Sequence, residues 1–430
     1  MIVLTPLIAL AAMQGLQTEQ SLLTRIVGVP TGKNGYEDYL KAGDMAGSHL
    51  WPMYEQWIAY KMSTFGAANN DPDSDPTLPP LPPGVTPEMS DLAIRRAAND
   101  HVGGAFEVIS IGNQKQVYDP RQDLSASTLF PEMAPFKMLA KIGANKAYVE
   151  FSEGRTTQAV NDLLEGIKFS KGIFGSILIS SLVSIAIQSI MLAEFQRHLG
   201  QLSLSDVQHI DKACQQLIDT PYPIKEMLAR EYSLTYNSID DLLKDPSELL
   251  SEDENKAFGA TIKGLGGVEQ QQLKSMLTQA LKSRYEDAAS KLTGPESTWP
   301  VNDASTDAQT PLDDKSVSNL ALVLANQLQG KNMQHQYIKA MAKARIQLRL
   351  LQLHAKVIAY HWQNAIWPAK LEDCADLKVA TDPFSGALFH YEQKDGAYKL
   401  YSTGITGLGQ IELKYRNIAA QENSGGDHPN

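Results

Sequence analysis

The chain has 430 residues, 43% hydrophobic and 20% charged, the balance of a globular protein long enough to bury a core in about two or three units. Its net charge of −11, with no Lys/Arg stripe interleaved with aromatics, argues against nucleic acid as a partner. Cys214 and Cys374 are too few for a zinc cluster or a disulfide framework. Two buried thiols are the expectation, with one bridge between them as the alternative in an oxidising compartment.

Residues 1–13 are signal-like: an apolar stretch leads into small residues, and Ala9-Leu10-Ala11 or Leu10-Ala11-Ala12 supplies cleavage geometry. No Lys or Arg precedes the apolar part, so a buried N-terminal segment is the alternative. Residues 14–84 form an N-terminal helical segment followed by a Pro-rich linker, Asn69 to Gly84. Asp71, Asp73 and Asp75 in that linker hint at a calcium loop, but Pro76 and Pro82 stand where an EF-hand needs Gly and Glu.

A central helical domain is expected over residues 85–292. Ser90 caps a helix bearing Leu92, Ile94 and Ala97, and the weak alternation after Phe106 suggests a short strand from Glu107 to Ile111. Phe136, Leu139, Ile142, Ala147 and Phe151 mark a helix stopped by Gly154. Ala159, Val160, Leu163, Leu164 and Ile167 mark the next, beginning at Thr156 or Thr157. The pair resembles one tetratricopeptide hairpin, but no period of about 34 residues continues it.

The stretch from Gly172 to Ala193 contains no charged residue. Gly172 and Gly175 place a turn at its start, so the uncharged part of the helix is about 17 residues, the lower limit for a membrane span. Ser176, Ser180, Ser184 and Gln188 recur every fourth residue, opposite Leu178, Ile179, Leu182, Val183, Ala186 and Ile190. That two-sided character predicts a central core helix and makes a span through 172–193 the lesser alternative. Ser205 with Gln208 suits a capping box for the following helix.

Residues 293–315 read as a polar linker containing Pro295, Pro300 and Pro311. Residues 316–416 hold two helices, Ser316 to Gln329 and Asn332 to Ala365, then strands at Ala387–Gln393, Ala397–Ser402 and Gln410–Tyr415, with Asp395-Gly396 as a hairpin turn. Residues 417–430 have little to bury and are expected to be a disordered tail.

Chemical motifs are sparse. Val27 to Asn34, VGVPTGKN, approaches a phosphate loop, but its glycine spacing is one short and Asn34 replaces the hydroxyl residue, so a plain turn is expected. Gly264, Gly266 and Gly267 are loop glycines. His354 and His361 share a helix face, with Glu372 and Asp373 beyond the turn, yet packing is preferred over metal: His361 and Trp362 against the hairpin, His354 partly solvated. Asp240-Asp241 and Glu286-Asp287 point to different faces and read as solvated surface. No catalytic, cofactor or metal residue is assigned.

In order, WPAKLEDC (Trp367 to Cys374), DPFSG (Asp382 to Gly386), FHY (Phe389 to Tyr391) and YKLYSTG (Tyr398 to Gly404) follow the long helix. This ordered set resembles the C-terminal part of type II secretion pseudopilins and related pilin-like proteins. The resemblance implies a helix running into a turn, an Asp-Pro-aromatic loop and a hairpin. Where that family carries an Asp-Gly pair that helps bind calcium, this chain has Thr406-Gly407, and no pilin-type helix with an acidic fifth position precedes the module. The helical remainder resembles large exported bacterial proteins, a likeness that brings no mechanism.

The expectation is a mainly α protein, an irregular antiparallel helical array with a small C-terminal antiparallel β-hairpin module. Its function is expected to be a non-enzymatic binding or structural role in the bacterial cell envelope, periplasmic or extracellular, with envelope proteins as partners. A hydrolase with dispersed catalytic residues and a membrane protein anchored through 172–193 are the alternatives.

Overall fold

A computed structural model describes residues 21–415 except 47–49, 67–78, 126, 249, 251, 253–254, 302–315, 330, 395 and 405–407. The signal-like segment, Asp71, Asp73, Asp75, Thr406-Gly407 and the tail at 417–430 lie outside the described residues. The chain is mainly helical with a small antiparallel sheet near the C-terminus.

The N-terminal part contributes α1 (Leu22–Ile26), α2 (Gly35–Met45), α3 (Leu50–Gly66), α4 (Asp91–Val102) and α5 (Gly104–Gly112). Ser90 caps α4, its hydroxyl accepting from the Ala93 amide at 3.2 Å. The strand expected at Glu107–Ile111 is instead helix α5. Val102, Phe106, Ile109 and Gly112 are buried and recur at intervals of three or four, while Glu107 and Ile111 face solvent.

Next come α6 (Met133–Ser152) and α7 (Thr156–Ile173), joined at Gly154, whose φ of +75° closes the tight turn. Then follow α8 (Leu178–His198) and α9 (Leu204–Asp219). The capping box of α9 is formed by Ser203 and Asp206, not Ser205 and Gln208. Ser203 Oγ accepts from Asp206 N at 3.2 Å, and the Asp206 carboxylate accepts from Ser203 N at 3.0 Å. A carboxylate complements the amino end of the helix better than the neutral Gln208 side chain.

Helix α8 is the centre of the body, packed by α6, α7 and α15 (Lys331–Asn364). Its small-residue face is the more deeply buried one: Ser180, Ser184 and Gln188 are enclosed, whereas Leu182, Val183 and Ile190 are only partly covered. Gln188 Nε2 donates to the Ala344 carbonyl of α15 at 2.8 Å, and its Oε1 accepts from the Tyr222 hydroxyl at 3.0 Å. Small side chains let the two helices approach closely enough for those bonds. Among the described residues one helix, Leu178–Gln201, has the length and apolarity of a membrane span. More than half of its apolar window, 56%, is buried inside the protein. It is packed as a core helix.

Two hydrophobic cores form. The larger runs from α1 through α10 (Ile224–Asn237) and includes α15 and the sheet. The smaller gathers Ile239, Leu242, Ile262, Leu273, Leu277, Leu281, Leu320 and Leu324. These come from α11 (Ile239–Lys244), α12 (Ala260–Gly264), α13 (Gly267–Leu292) and α14 (Val317–Gln329). Tyr232 packs against both. Within the segment expected as linker, Glu296–Thr298 forms a 3-10 turn, and Trp299 is buried with its ring 5.5 Å from that of Phe384.

The C-terminal sheet has β1 (His390–Lys394), β2 (Ala397–Ser402) and β3 (Ile411–Glu412) in the order β1-β2-β3, with His390 opposite Tyr401 and Ser402 opposite Ile411. A short α16 (Leu377–Ala380) precedes it. β1 begins three residues later than expected, because Ala387 and Phe389 are engaged by the preceding loop. Asp382 N donates to Ala387 O at 2.8 Å, and Phe389 N donates to Ala380 O at 2.9 Å.

Candidate functional site

The phosphate-loop candidate is occupied by the protein's own carboxylate. Thr31 N and Oγ1 donate to Glu37 Oε1 at 3.0 and 2.8 Å, and Gly32 N donates to Oε2 at 2.7 Å. Burial raises the Glu37 pKa, but the bonds from Thr31 and Gly32 outweigh it and leave the carboxyl below its ordinary value. Asn34 Oδ1 accepts from Tyr36 N at 3.0 Å and caps α2. The glycine-rich turn is therefore an internal anion nest that anchors α2.

The imagined metal set does not converge. His354 is fully buried, contrary to the expectation of partial solvation, with the Tyr398 hydroxyl 2.8 Å from Nδ1. Its position four residues ahead of Ile358, on the core face of α15, puts it inside, and burial lowers its pKa to about 4. His361 stacks on Trp367 at 3.9 Å between centroids. Trp362 points outward at 57% exposure instead of packing on the hairpin, its Nε1 donating to Leu202 O at 3.0 Å. Asp373 accepts from Lys370 N at 3.1 Å as a local cap. Among the described residues no group of His, Cys, Asp and Glu has the arrangement of a metal site. Cys214 and Cys374 are free thiols.

Two buried charge clusters knit the helices together. In one, Arg121 pairs with Asp119 at 2.9 Å and with Glu132, while Tyr36 donates to Glu132 at 2.8 Å. Arg230 approaches Asp119 at 3.3 Å, and Ser176 donates to the same carboxylate. Two cations and two carboxylates balance there. In the other, Lys146 lies between Glu150 and Asp162. Burial, and then the charge of Asp162, raise Glu150 to about 7.

In the third cluster one guanidinium nitrogen lacks an acceptor. Arg345 and Arg349, one turn apart on α15, face the 3-10 turn after α13 and the carboxyl end of α9. Arg345 pairs with Glu296, its guanidinium carbon 5.5 Å from the Tyr222 ring and 5.5 Å from the Trp299 ring. Lys171 Nζ lies 4.8 Å from the Tyr222 ring and donates to the Leu217 and Thr220 carbonyls at the end of α9. Burial, helped by Arg345, lowers Lys171 to about 8. Arg349 is 9% exposed, and its Nη1 is sealed from solvent without an acceptor.

Sequence reasoning singled out none of these residues. The signal was present in RIQLRLL, where Arg345 and Arg349 interrupt an otherwise apolar helix at spacing four. Glu296 and Trp299 were hidden in a stretch that composition marks as linker. Asp382 and Gly386 form the module's loop as their residue types imply: Asp382 Oδ1 accepts from Phe384 N at 2.9 Å, and Gly386 takes φ +71°. No family model, curated protein or solved structure matches the chain.

Proposed function

We propose that this chain is an exported bacterial protein with a non-enzymatic binding or structural role in the cell envelope. The observation that supports it is the way the C-terminal module is seated. Tyr398 of β2 is buried beside His354 of α15, Trp367 Nε1 donates to Gly396 O at 2.7 Å, and Ser402 donates to buried Asp382. The inner face of the sheet is thereby fixed to the long helix, while β1 turns His390, Glu392, Gln393 and Lys394 outward. A rigid body that holds a polar edge strand at its surface suits the presentation of a binding face, and Lys394 on that edge opposes uncontrolled strand pairing.

The competing hydrolase reading would use Glu150, whose raised pKa is the property of an acid–base group. That carboxyl is buried and bonded to Lys146 of its own helix at 3.2 Å, and Lys146 in turn pairs with Asp162, an arrangement that ties α6 to α7. A photo-reactive residue at Gln393 in intact cells tests the proposal. Cross-links to envelope proteins are expected; a chain that stays in the cytoplasm and forms none would sink it.

A further inference from the structure

We propose that Arg349, with Arg345 beside it, is the receptor for a small oxyanion, a carboxylate or a phosphate, where α15 meets the carboxyl end of α9 and the turn at Glu296–Thr298. Residues four apart on a helix share a face, so α15 aims both guanidinium groups at one place. Arg345 is already engaged by Glu296 and by the rings of Tyr222 and Trp299. Arg349 Nη1 is not engaged: among the described residues nothing accepts from it, although the residue is nine-tenths buried.

The carboxylates that sense its charge are Glu296, Asp219 and Asp376, and each has another partner. Glu296 is paired with Arg345, Asp219 accepts from Gln215 Nε2 at 2.8 Å, and Asp376 accepts from Val379 N at 2.9 Å. A buried guanidinium without an acceptor is unfavourable, and burial holds Arg349 below the usual guanidinium range. The planar fork fits two oxygens of one anion, and Arg345 one turn away adds a second positive charge that acts on Arg349. Glu132 and Glu150 also each carry one unpartnered oxygen, but both already face a cation. The inference rests on nothing in the envelope reading, so either can fail alone.

The test titrates inorganic phosphate and, separately, acetate into the full chain, with ionic strength held constant by chloride. A saturable rise in Tm and slower amide exchange around residues 345–349 are expected with at least one probe. Arg349→Met should weaken that binding about tenfold or more. Arg349→Lys should lose less, and exposed Arg197→Met nothing. A response to phosphate alone assigns a tetrahedral ligand; a response to acetate alone assigns a carboxylate. No saturable response to either, or unchanged binding by Arg349→Met, overturns the proposal. Should Arg349→Met not fold, exchange on the unaltered chain decides: protection confined to this junction supports the site, and uniform or absent protection refutes it.

Discussion

Glu132 has 0% exposure, and one of its carboxylate oxygens meets no donor, so its charge depends on Arg121 and Tyr36. Removing one partner of such a pair strands the other, at a cost of about 3–5 kcal/mol. Arg121→Met is expected to lose that much stability in urea unfolding. Arg121→Met with Glu132→Met should recover much of it, because apolar replacement of a whole buried pair is close to neutral. A loss under about 1 kcal/mol for the single variant would show the pair to be weak. His354 gives a pH-dependent counterpart. Its folded-state pKa, near 4, lies below the ordinary value of 6.5, so the unfolded chain takes the proton first. Stability should therefore be unaffected by His354 above pH 6.5 and fall as pH drops towards 4, by up to about 1.4 kcal/mol per pH unit. His354→Gln should flatten that part of the profile; denaturation midpoints at pH 7, 6 and 5 measure it, and identical slopes would contradict it. The burial of His354 was not legible beforehand, because a histidine on a long helix gives no sign of which turn meets the sheet. The Glu37 nest was equally hidden, since the carboxylate that fills the turn lies in the next helix.

Helix periodicity was the legible signal at the scale of elements, and packing decided what it could not. Gly154, Ser90 and the Asp382 turn work through local backbone chemistry, so their roles follow from residue type. The segment after Phe106 misleads, because five residues do not separate an alternating strand from a short helix; Phe106 and Ile109 are committed by their fit against neighbouring helices. Gly143 shows that fit directly. A Cβ built there would stand 2.3 Å from the ring of Phe106, which is fully buried and has no room to withdraw. Gly143→Ala is expected to cost about 1–3 kcal/mol through overpacking. Gly267→Ala meets nothing within 4 Å and should stay within about 0.5 kcal/mol of the parent. Thermal unfolding of the two variants checks the contrast; equal Tm values would mean that α5 and α6 are not held in this contact. The serine face of α8 belongs to the same argument. Spacing revealed that face, but which side is more deeply buried depends on α15, more than a hundred residues away.

Across the whole molecule, the uncharged run, the helical hairpin and the C-terminal module are parts of one construction. α8 is surrounded by α6, α7 and α15, and α15 carries both the sheet and the two arginines. The charge pattern that marks the candidate anion site arises only when α15, α9 and the 3-10 turn meet, which explains why composition missed it. The envelope reading and the core role of α8 can be tested together by fractionating native cells and washing the membranes with carbonate. The chain is expected in the periplasmic or extracellular fraction, with any membrane-associated portion released by carbonate, because more than half of the apolar window in Leu178–Gln201 is buried inside the protein. Retention in the lipid after that wash would show that α8 leaves the core to span the bilayer, and an exclusively cytoplasmic chain would refute the envelope role.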